Sequence, residues 1–195
     1  MTGLACSGIY HNFNCMDKAS FVKFRSLDFA GIAIIIMGST TPPLYYGMYC
    51  AELTFWRNLW LGLVYTCCLI ALCVSLSPNI INNHKASSKI LAIAFIIAGL
   101  STSPGILYAA FFIEANYSQP IPYFVFFAGG AFYITGAVIY AKKWPEKKGA
   151  RYKYDIVGNS HNIFHTMVLL GSLCCFLGSV RVFHERVLNP CPVLV

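Results

Sequence analysis

Hydrophobic residues along this chain fall into five long runs that no charged residue interrupts. The runs are Phe29–Ala51, Asn58–Asn83, Ile90–Ile113, Ala115–Ala141 and Ile156–Val180. Each reaches the roughly 20 residues that a helix needs to cross about 30 Å of hydrocarbon, whereas a membrane strand needs about 10. Backbone groups in lipid must bond internally, which runs of this length achieve as helices. The pattern predicts an all-α, polytopic transmembrane helix bundle with five full spans.

Composition agrees with this class. Hydrophobic residues make up 57% of the chain and charged residues 11%, against about 25% charged in ordinary soluble domains. A single soluble core would need five all-apolar helices in 195 residues, so we reject that reading. The uncharged residues 1–16 are short for a span and lack the basic start of a signal peptide. We expect them to be the cytoplasmic end of a sixth helix that descends from the outer side of the membrane and whose outer part is absent.

The basic residues orient the spans. Eleven of the fourteen lie before the first span, between the second and third, or between the fourth and fifth, and Arg57, Arg181 and Arg186 lie opposite. By the positive-inside rule the first group is cytoplasmic. The carboxyl terminus is then on the extracytoplasmic side of the membrane, which is the plasma membrane or an endomembrane. The glycosylation sequon at Asn116 falls on the predicted outer side. The net charge of +7 indicates contact with anionic lipid, and no nucleic-acid motif accompanies it.

These observations predict one transmembrane domain over 1–195. A partial helix over 1–16 precedes spans at 28–49, 58–77, 90–113, 121–141 and 160–180, and residues 181–195 form an extracytoplasmic tail.

Two histidines near the start of the last run are candidates for a functional site. His161 and His165 are one helical turn apart, so both imidazoles project from the same face. Such a pair in a membrane segment is costly unless it binds something, and a metal ion is the simplest candidate. The direction in which each segment crosses the membrane indicates two further candidates. His11, near the cytoplasmic end of its segment, and Asp28, which opens the next span, are expected in the inner leaflet at a depth similar to that of the histidine pair. Spacing alone leaves open that the pair only hydrogen-bonds lipid head groups.

Three imidazoles with one open position are typical of a catalytic zinc site. The helical HExxH motif would supply a glutamate base, but residue 162 is Asn, which leaves Asp28 as the only acid at the right depth. Asp155 is the fallback, although charge at a helix amino terminus is its plainer role. His84 and His184 are expected on the solvated surface.

The nine cysteines lack any CxxC spacing, and most read as small buried or lipid-facing residues. Cys50 and Cys191 both fall on the predicted outer side and could pair.

At these positions the chain resembles a known family. The segments Ser7-Gly8-Ile9-Tyr10-His11, Leu27-Asp28-Phe29-Ala30-Gly31-Ile32-Ala33 and Ser160-His161-Asn162-Ile163-Phe164-His165 are similar to the progestin and adipoQ receptor family, above all to the adiponectin receptors, with haemolysin III proteins as bacterial relatives. The likeness runs from about Ser7 to Val180. It implies a seven-helix architecture with a cytoplasmic amino terminus, of which this chain would hold the third to seventh helices and the end of the second. The first helix would be missing.

The resemblance also implies roles. His11, His161 and His165 match the family's Zn2+ ligands, Asp28 the carboxylate that holds the zinc-bound water, and Ser7 a serine one turn before the first histidine. Without the resemblance, Ser7 reads equally well as a packing residue between helices. A departure follows Cys15, where the family often has His-Ser and this chain has Met16-Asp17.

The implied function is a signalling receptor with lipid amide (ceramide) hydrolase activity. Its partners would be membrane lipids, ceramide or fatty acid, with an extracellular ligand that the sequence does not identify. The alternative is a non-catalytic receptor or lipid-homeostasis regulator in which zinc is structural. A haem protein is a remote third reading, because bis-histidine haem takes its ligands from facing helices.

Overall fold

The computed structural model describes residues 2–13, 17–77, 84–113, 123–146, 154 and 157–188. Every regular element in this part of the chain is helical, which confirms the all-α class. The helices are α1 (Thr2–Phe13), α2 (Lys18–Gly47), α3 (Thr54–Leu76), α4 (His84–Leu100), α5 (Thr102–Tyr108), α6 (Tyr123–Lys142) and α7 (Ser160–Leu188). The chain forms two compact units, one of Met1–Ser118 with Cys191–Val195 and one of Gln119–Pro190.

Four described helical segments are long and apolar enough to cross a membrane: Thr54–Leu76, Ile93–Phe112, Tyr123–Lys142 and Ser160–Leu188. They confirm a multi-pass integral membrane protein. Most of the remaining predicted span, 28–49, lies in α2, which ends at Gly47 and whose 30 residues make it about 45 Å long at 1.5 Å per residue. Its carboxyl-terminal half contains Ser39, Thr40, Thr41, Pro42 and Pro43.

The helix that contains most of the first predicted span begins before that span. The α2 helix starts at Lys18, so Asp28 lies inside a helix instead of opening one. The start is set by Asp17, whose Oδ1 accepts the Ser20 amide at 3.0 Å and whose Oδ2 accepts the Ser20 hydroxyl at 2.5 Å. This is an amino-terminal cap, which fixes where a helix begins irrespective of the charges farther along.

Two other spans differ from their predicted bounds. The run 90–113 divides at Ser101 into α4 and α5 and ends in a π-helical turn, Ala109–Ile113. Pro104 stands in the first turn of α5, where its missing N–H costs no helical hydrogen bond. The last helix continues to Leu188, so the beginning of the predicted tail is helical.

In the first unit, α1 crosses α2 at a point of very close approach. A Cβ added to Gly31 would lie 2.7 Å from the Gly3 carbonyl oxygen and 3.1 Å from Cys6 Cβ. Only glycine allows the two backbones to approach this closely. Farther along the unit, α2 packs on α3 and buries Leu44, Met48 and Val64 completely.

The second unit is the pair α6 and α7, packed through glycines on both helices. A Cβ at Gly129 would lie 3.1 Å from the Gly171 carbonyl oxygen, and one at Gly136 would lie 2.8 Å from Met167 Cβ. A side-chain hydrogen bond of 3.1 Å between Tyr133 and Ser172 crosses the same seam. Small residues and a polar bond of this kind hold apolar helices together in lipid, where burial from water contributes nothing.

Cys50 is disulfide-bonded, whereas Cys191 lies outside the described residues, so the pairing of these two stays a prediction. The free cysteines in the described part are Cys6, Cys67, Cys68, Cys73, Cys174 and Cys175. Asn116 and Asp155, the predicted sequon and the fallback acid, also lie outside the described residues.

Candidate metal centre

The two histidines of the last run face each other near the start of α7. The Nε2 atoms of His161 and His165 are 3.2 Å apart, with ring centroids separated by 4.6 Å and planes inclined by 86°. Both side chains are half-buried. Helical spacing thus produces the predicted pair of convergent nitrogens.

This separation fits a shared metal ion. Zinc binds imidazole nitrogen at about 2.0–2.1 Å in tetrahedral geometry, so two nitrogens on one zinc lie roughly 3.3 Å apart. The observed separation of 3.2 Å is within about 0.1 Å of that nitrogen–nitrogen distance. A hydrogen bond between the rings has a similar length, but it requires one imidazole to donate and the other to accept.

Residues of the second unit fix the ring of His161. Its centroid lies 5.4 Å from that of Tyr140 on α6, and the same tyrosine lies 5.5 Å from Phe164. At the start of α7, the Asn159 side chain accepts the Asn162 amide at 2.9 Å, an amino-terminal cap. The histidines therefore stand on a turn that is both capped and packed against α6.

A contact that sequence spacing did not reveal holds the same turn. Both carboxylate oxygens of Glu146 accept hydrogen bonds from Ser160, one from its amide at 2.8 Å and one from its hydroxyl. The hydroxyl bond lowers the pKa of Glu146 below its ordinary value. Fourteen residues separate the partners, so only the fold brings them together. The sequence itself offers only the Pro145-Glu146 pair upstream of the last span.

In the first unit, His11 lies near the end of α1 with an exposed side chain. Its ring makes an edge contact with Tyr10, with centroids 4.9 Å apart. The next residue, Asn12, donates its side-chain amide to the Gly8 carbonyl at 2.7 Å. This hydrogen bond stabilises the last turn of α1, which carries the histidine.

Ser7 precedes His11 by one helical turn, and its hydroxyl differs from those of the other buried serine and threonine residues in the described part of the chain. Four polar residues there are buried, namely Ser7, Thr40, Ser75 and Ser160. Thr40 and Ser75 each bond a carbonyl of their own helix at 2.7 Å, and Ser160 bonds Glu146. The Ser7 oxygen has no hydrogen-bond partner among the described residues.

A buried hydroxyl without a partner costs free energy, of the order of 1–3 kcal/mol. The usual acceptor for a helical serine is the carbonyl one turn earlier, which in α1 belongs to Gly3 at the crossing with α2. The unpaired hydroxyl therefore favours a ligand at Ser7 over the packing role, since a residue needed only for its size would bond its helix or be alanine.

Asp28 is half-buried on α2. Within the described residues its carboxylate makes no hydrogen bond or ion pair. An acid in a membrane helix is usually paired or functional. Asp28 therefore stays a candidate acid, although it is not among the metal-ligating residues that the structure groups.

Each of the three predicted ligands offers one ring nitrogen to a metal ion, His11 in the first unit and His161 and His165 in the second. Of the two histidines excluded from the site, His184 lies exposed on the last turns of α7, and the side chain of His84 is outside the described residues. Three imidazoles without thiolates suit zinc and other borderline divalent metals better than calcium or magnesium.

Comparison with known proteins agrees with the sequence motifs. The chain is 33% identical over 178 residues to "ADIPOR-like receptor IZH1" of Eremothecium gossypii, covering 90% of this chain and 54% of the relative. It is 32% identical over 190 residues to "Adiponectin receptor protein" of Drosophila melanogaster, covering 95% and 41%. The chain therefore spans about half the length of these two relatives.

A third relative, "Heptahelical transmembrane protein ADIPOR2" of Oryza sativa, is 31% identical over 176 residues, which cover 89% of this chain and 73% of that protein. The family described as haemolysin-III related matches residues 1–176, a range that includes the two segments carrying the SxxxH and HxxxH motifs. The resemblance that those motifs indicated is confirmed, and the chain belongs to the haemolysin-III-related family of membrane proteins.

Proposed function

We propose that this protein is an adiponectin-receptor-like membrane protein that holds zinc through His11, His161 and His165 and hydrolyses lipid amides of the ceramide type. The observation that carries the proposal is the 3.2 Å separation of the His161 and His165 Nε2 atoms, which matches two corners of a zinc tetrahedron. His11 supplies the third nitrogen, which leaves one position open. An open position distinguishes catalytic from structural zinc sites.

Zinc bound there would supply a Lewis acid and lower the pKa of a coordinated water to about 7. Hydrolysis of an amide adds water across the C–N bond, so a proton must leave the attacking water and reach the departing nitrogen. We assign that transfer to the Asp28 carboxylate as general base and then general acid. The Ser7 hydroxyl would donate to the oxyanion that develops on the carbonyl oxygen. The missing partner of that hydroxyl supports this role.

A half-buried site in a membrane helix suits a lipid substrate. An acyl chain dissolved in the bilayer brings its amide to the site without leaving hydrocarbon, whereas a water-soluble amide would have to lose its hydration. Ceramide has one amide beside its acyl chain, and cleavage would release a fatty acid and a sphingoid amine.

Metal content tests the first half of the proposal. The chain, purified in detergent without chelators, is expected to contain about one zinc per molecule by elemental analysis, and His161→Ala is expected to lose it. His184→Ala is the matched control, because it removes an exposed histidine of the same helix. Equal zinc in the wild type and in His161→Ala would contradict the proposal.

Hydrolysis tests the second half. Wild-type protein in lipid vesicles is expected to release fatty acid from ceramide. Asp28→Ala should reduce the rate at least about 100-fold, in line with the usual contribution of a general base, with zinc retained. Ceramide hydrolysis that survives Asp28→Ala would exclude Asp28 as the group that transfers the proton.

A second function remains in view because two of the relatives are named as receptors. In a non-catalytic receptor or lipid-homeostasis regulator the same three histidines would hold zinc structurally. Wild-type protein that contains zinc and releases no fatty acid would favour that alternative. In that case His161→Ala would lower thermal stability, and Ser7→Ala would leave the protein unchanged.

A further inference from the structure

The start of α7 is tied to the end of α6 by a single carboxylate. Ser160, the first residue of α7, is 2% exposed, and both of its hydrogen-bond donors point at Glu146. The amide lies 2.8 Å from Oε2, and the hydroxyl bonds Oε1. Glu146 lies just beyond the end of α6 at Lys142, after a turn in which Lys143 has a φ of 49°.

This contact lies at the helix turn that carries the first histidine of the pair. The first four amides of any helix lack helical partners, and first turns fray unless side chains bond them. His161 is the second residue of α7 and His165 the sixth. Fraying of the first turn would therefore displace His161 while leaving His165 on intact helix, and the facing pair would be lost.

Glu146 is suited to prevent this motion. Its hydrogen bond from the Ser160 hydroxyl lowers its pKa, so the group is a carboxylate at neutral pH. A negative charge is favourable at a helix amino terminus. The only other described cap at this terminus is Asn159, which bonds the Asn162 amide and belongs to the same segment. Glu146 instead connects the turn to α6, the helix whose Tyr140 packs on His161.

We propose that Glu146 is a positioning residue for the metal centre: it fixes the first turn of α7 on α6 and so keeps His161 at bonding distance from the ion that His165 also binds. The inference rests on the proposed zinc site. Glu146 itself touches neither metal nor substrate. Its removal therefore weakens metal binding through His161, without removing a ligand.

Cobalt titration of the full chain tests this. The metal-free protein is titrated with Co2+, whose visible absorption reports nitrogen coordination, and Zn2+ affinity is then obtained by competition. Outer-shell partners of metal ligands typically contribute about 10–100-fold to affinity. We expect Glu146→Ala to weaken binding about 10-fold, at the lower end of that range.

Two variants sharpen the test. Glu185→Ala is the matched control, because Glu185 is an acid near the far end of α7 that pairs locally with Arg181, at 3.8 Å. It should bind like the wild type. Glu146→Gln keeps one oxygen to accept the Ser160 amide, so it should recover part of the affinity, and it provides the measurement if Glu146→Ala does not fold.

A double-mutant cycle separates positioning from general stability. If Glu146 acts through His161, Glu146→Ala adds no further loss to the weak Co2+ affinity that the remaining ligands retain in a His161→Ala background, measured at high Co2+ concentration. An equal loss in both backgrounds would overturn the inference, as would wild-type affinity in folded Glu146→Ala or Glu146→Gln. Wild-type protein that binds neither metal would instead contradict the proposed zinc site, so the two failures are distinguishable.

Discussion

Neighbouring glycines in α6 give opposite predictions for the same substitution. A Cβ at Gly129 would lie 2.8 Å from Cys175 Sγ and 3.1 Å from the Gly171 carbonyl oxygen, whereas a Cβ at Gly130 has nothing within 4 Å. Ordinary contacts begin at 3.4 Å. The Gly129→Ala methyl group is therefore roughly 0.6 Å too close to sulfur and roughly 0.3 Å too close to the carbonyl.

These overlaps set the expected magnitude. The Cys175 side chain can rotate, but the Gly171 carbonyl is backbone, so α6 and α7 must separate. Overpacking of this kind costs about 1–3 kcal/mol, and the separation would also strain the 3.1 Å bond between Tyr133 and Ser172. Gly130→Ala should instead gain about 0.4–1 kcal/mol, because alanine has less freedom in the unfolded chain.

Unfolding in mixed detergent micelles measures both variants. Helicity and migration on size exclusion show that each is folded, and the free energy of unfolding is compared with that of the wild type. We expect Gly129→Ala to lie about 1–3 kcal/mol below Gly130→Ala, because the gain from the unfolded chain is common to both variants and only the overpacking differs. Equal stability of the two variants would refute the close packing of α6 on α7. It would also refute the packing of α6 against the turn of α7 that carries the histidine pair.

Three other features of the described residues lead to predictions of their own. Asp17→Ala should destabilise α2 by about 0.5–2 kcal/mol through loss of its cap, measured by unfolding with Asp17→Asn as the conservative variant. The pKa of Glu146 is lowered in the folded state, so its stabilisation is complete above the unfolded value of about 4.3 and is lost as pH falls through the folded pKa. The stability gap between wild type and Glu146→Gln should thus be constant from about pH 8 to 6 and close only below about pH 4. Finally, Cys50 should pair with Cys191, because both fall on the predicted outer side of the membrane; peptide mapping without reductant that joins Cys50 to any other cysteine would contradict this.

The sequence predicted the helical class and the histidine pair because both depend on local rules. Lipid excludes charge, so charge-free runs mark spans, and the helical repeat places residues four apart on one face. The same reasoning did not give the start of α2. Charge marks where a segment can enter lipid and predicted a span from residue 28, whereas a helix begins where its terminal amides find partners, and Asp17 supplies one earlier.

Features that depend on contacts between helices could not be read from spacing. The bond between Glu146 and Ser160 closes a loop of fourteen residues whose path the sequence does not specify. Sequence named Ser7 only through its resemblance to a family, and the structure shows that its buried hydroxyl has no hydrogen-bond partner among the described residues.

The central claim is that three histidines of this chain bind one zinc ion. X-ray absorption at the zinc edge of the purified protein tests it most directly, because it reports the type, number and distance of the ligands. We expect three imidazole nitrogens and one oxygen at about 2.0–2.1 Å, with His161→Ala losing the spectrum. Sulfur ligands near about 2.3 Å, or an unchanged spectrum in His161→Ala, would contradict it.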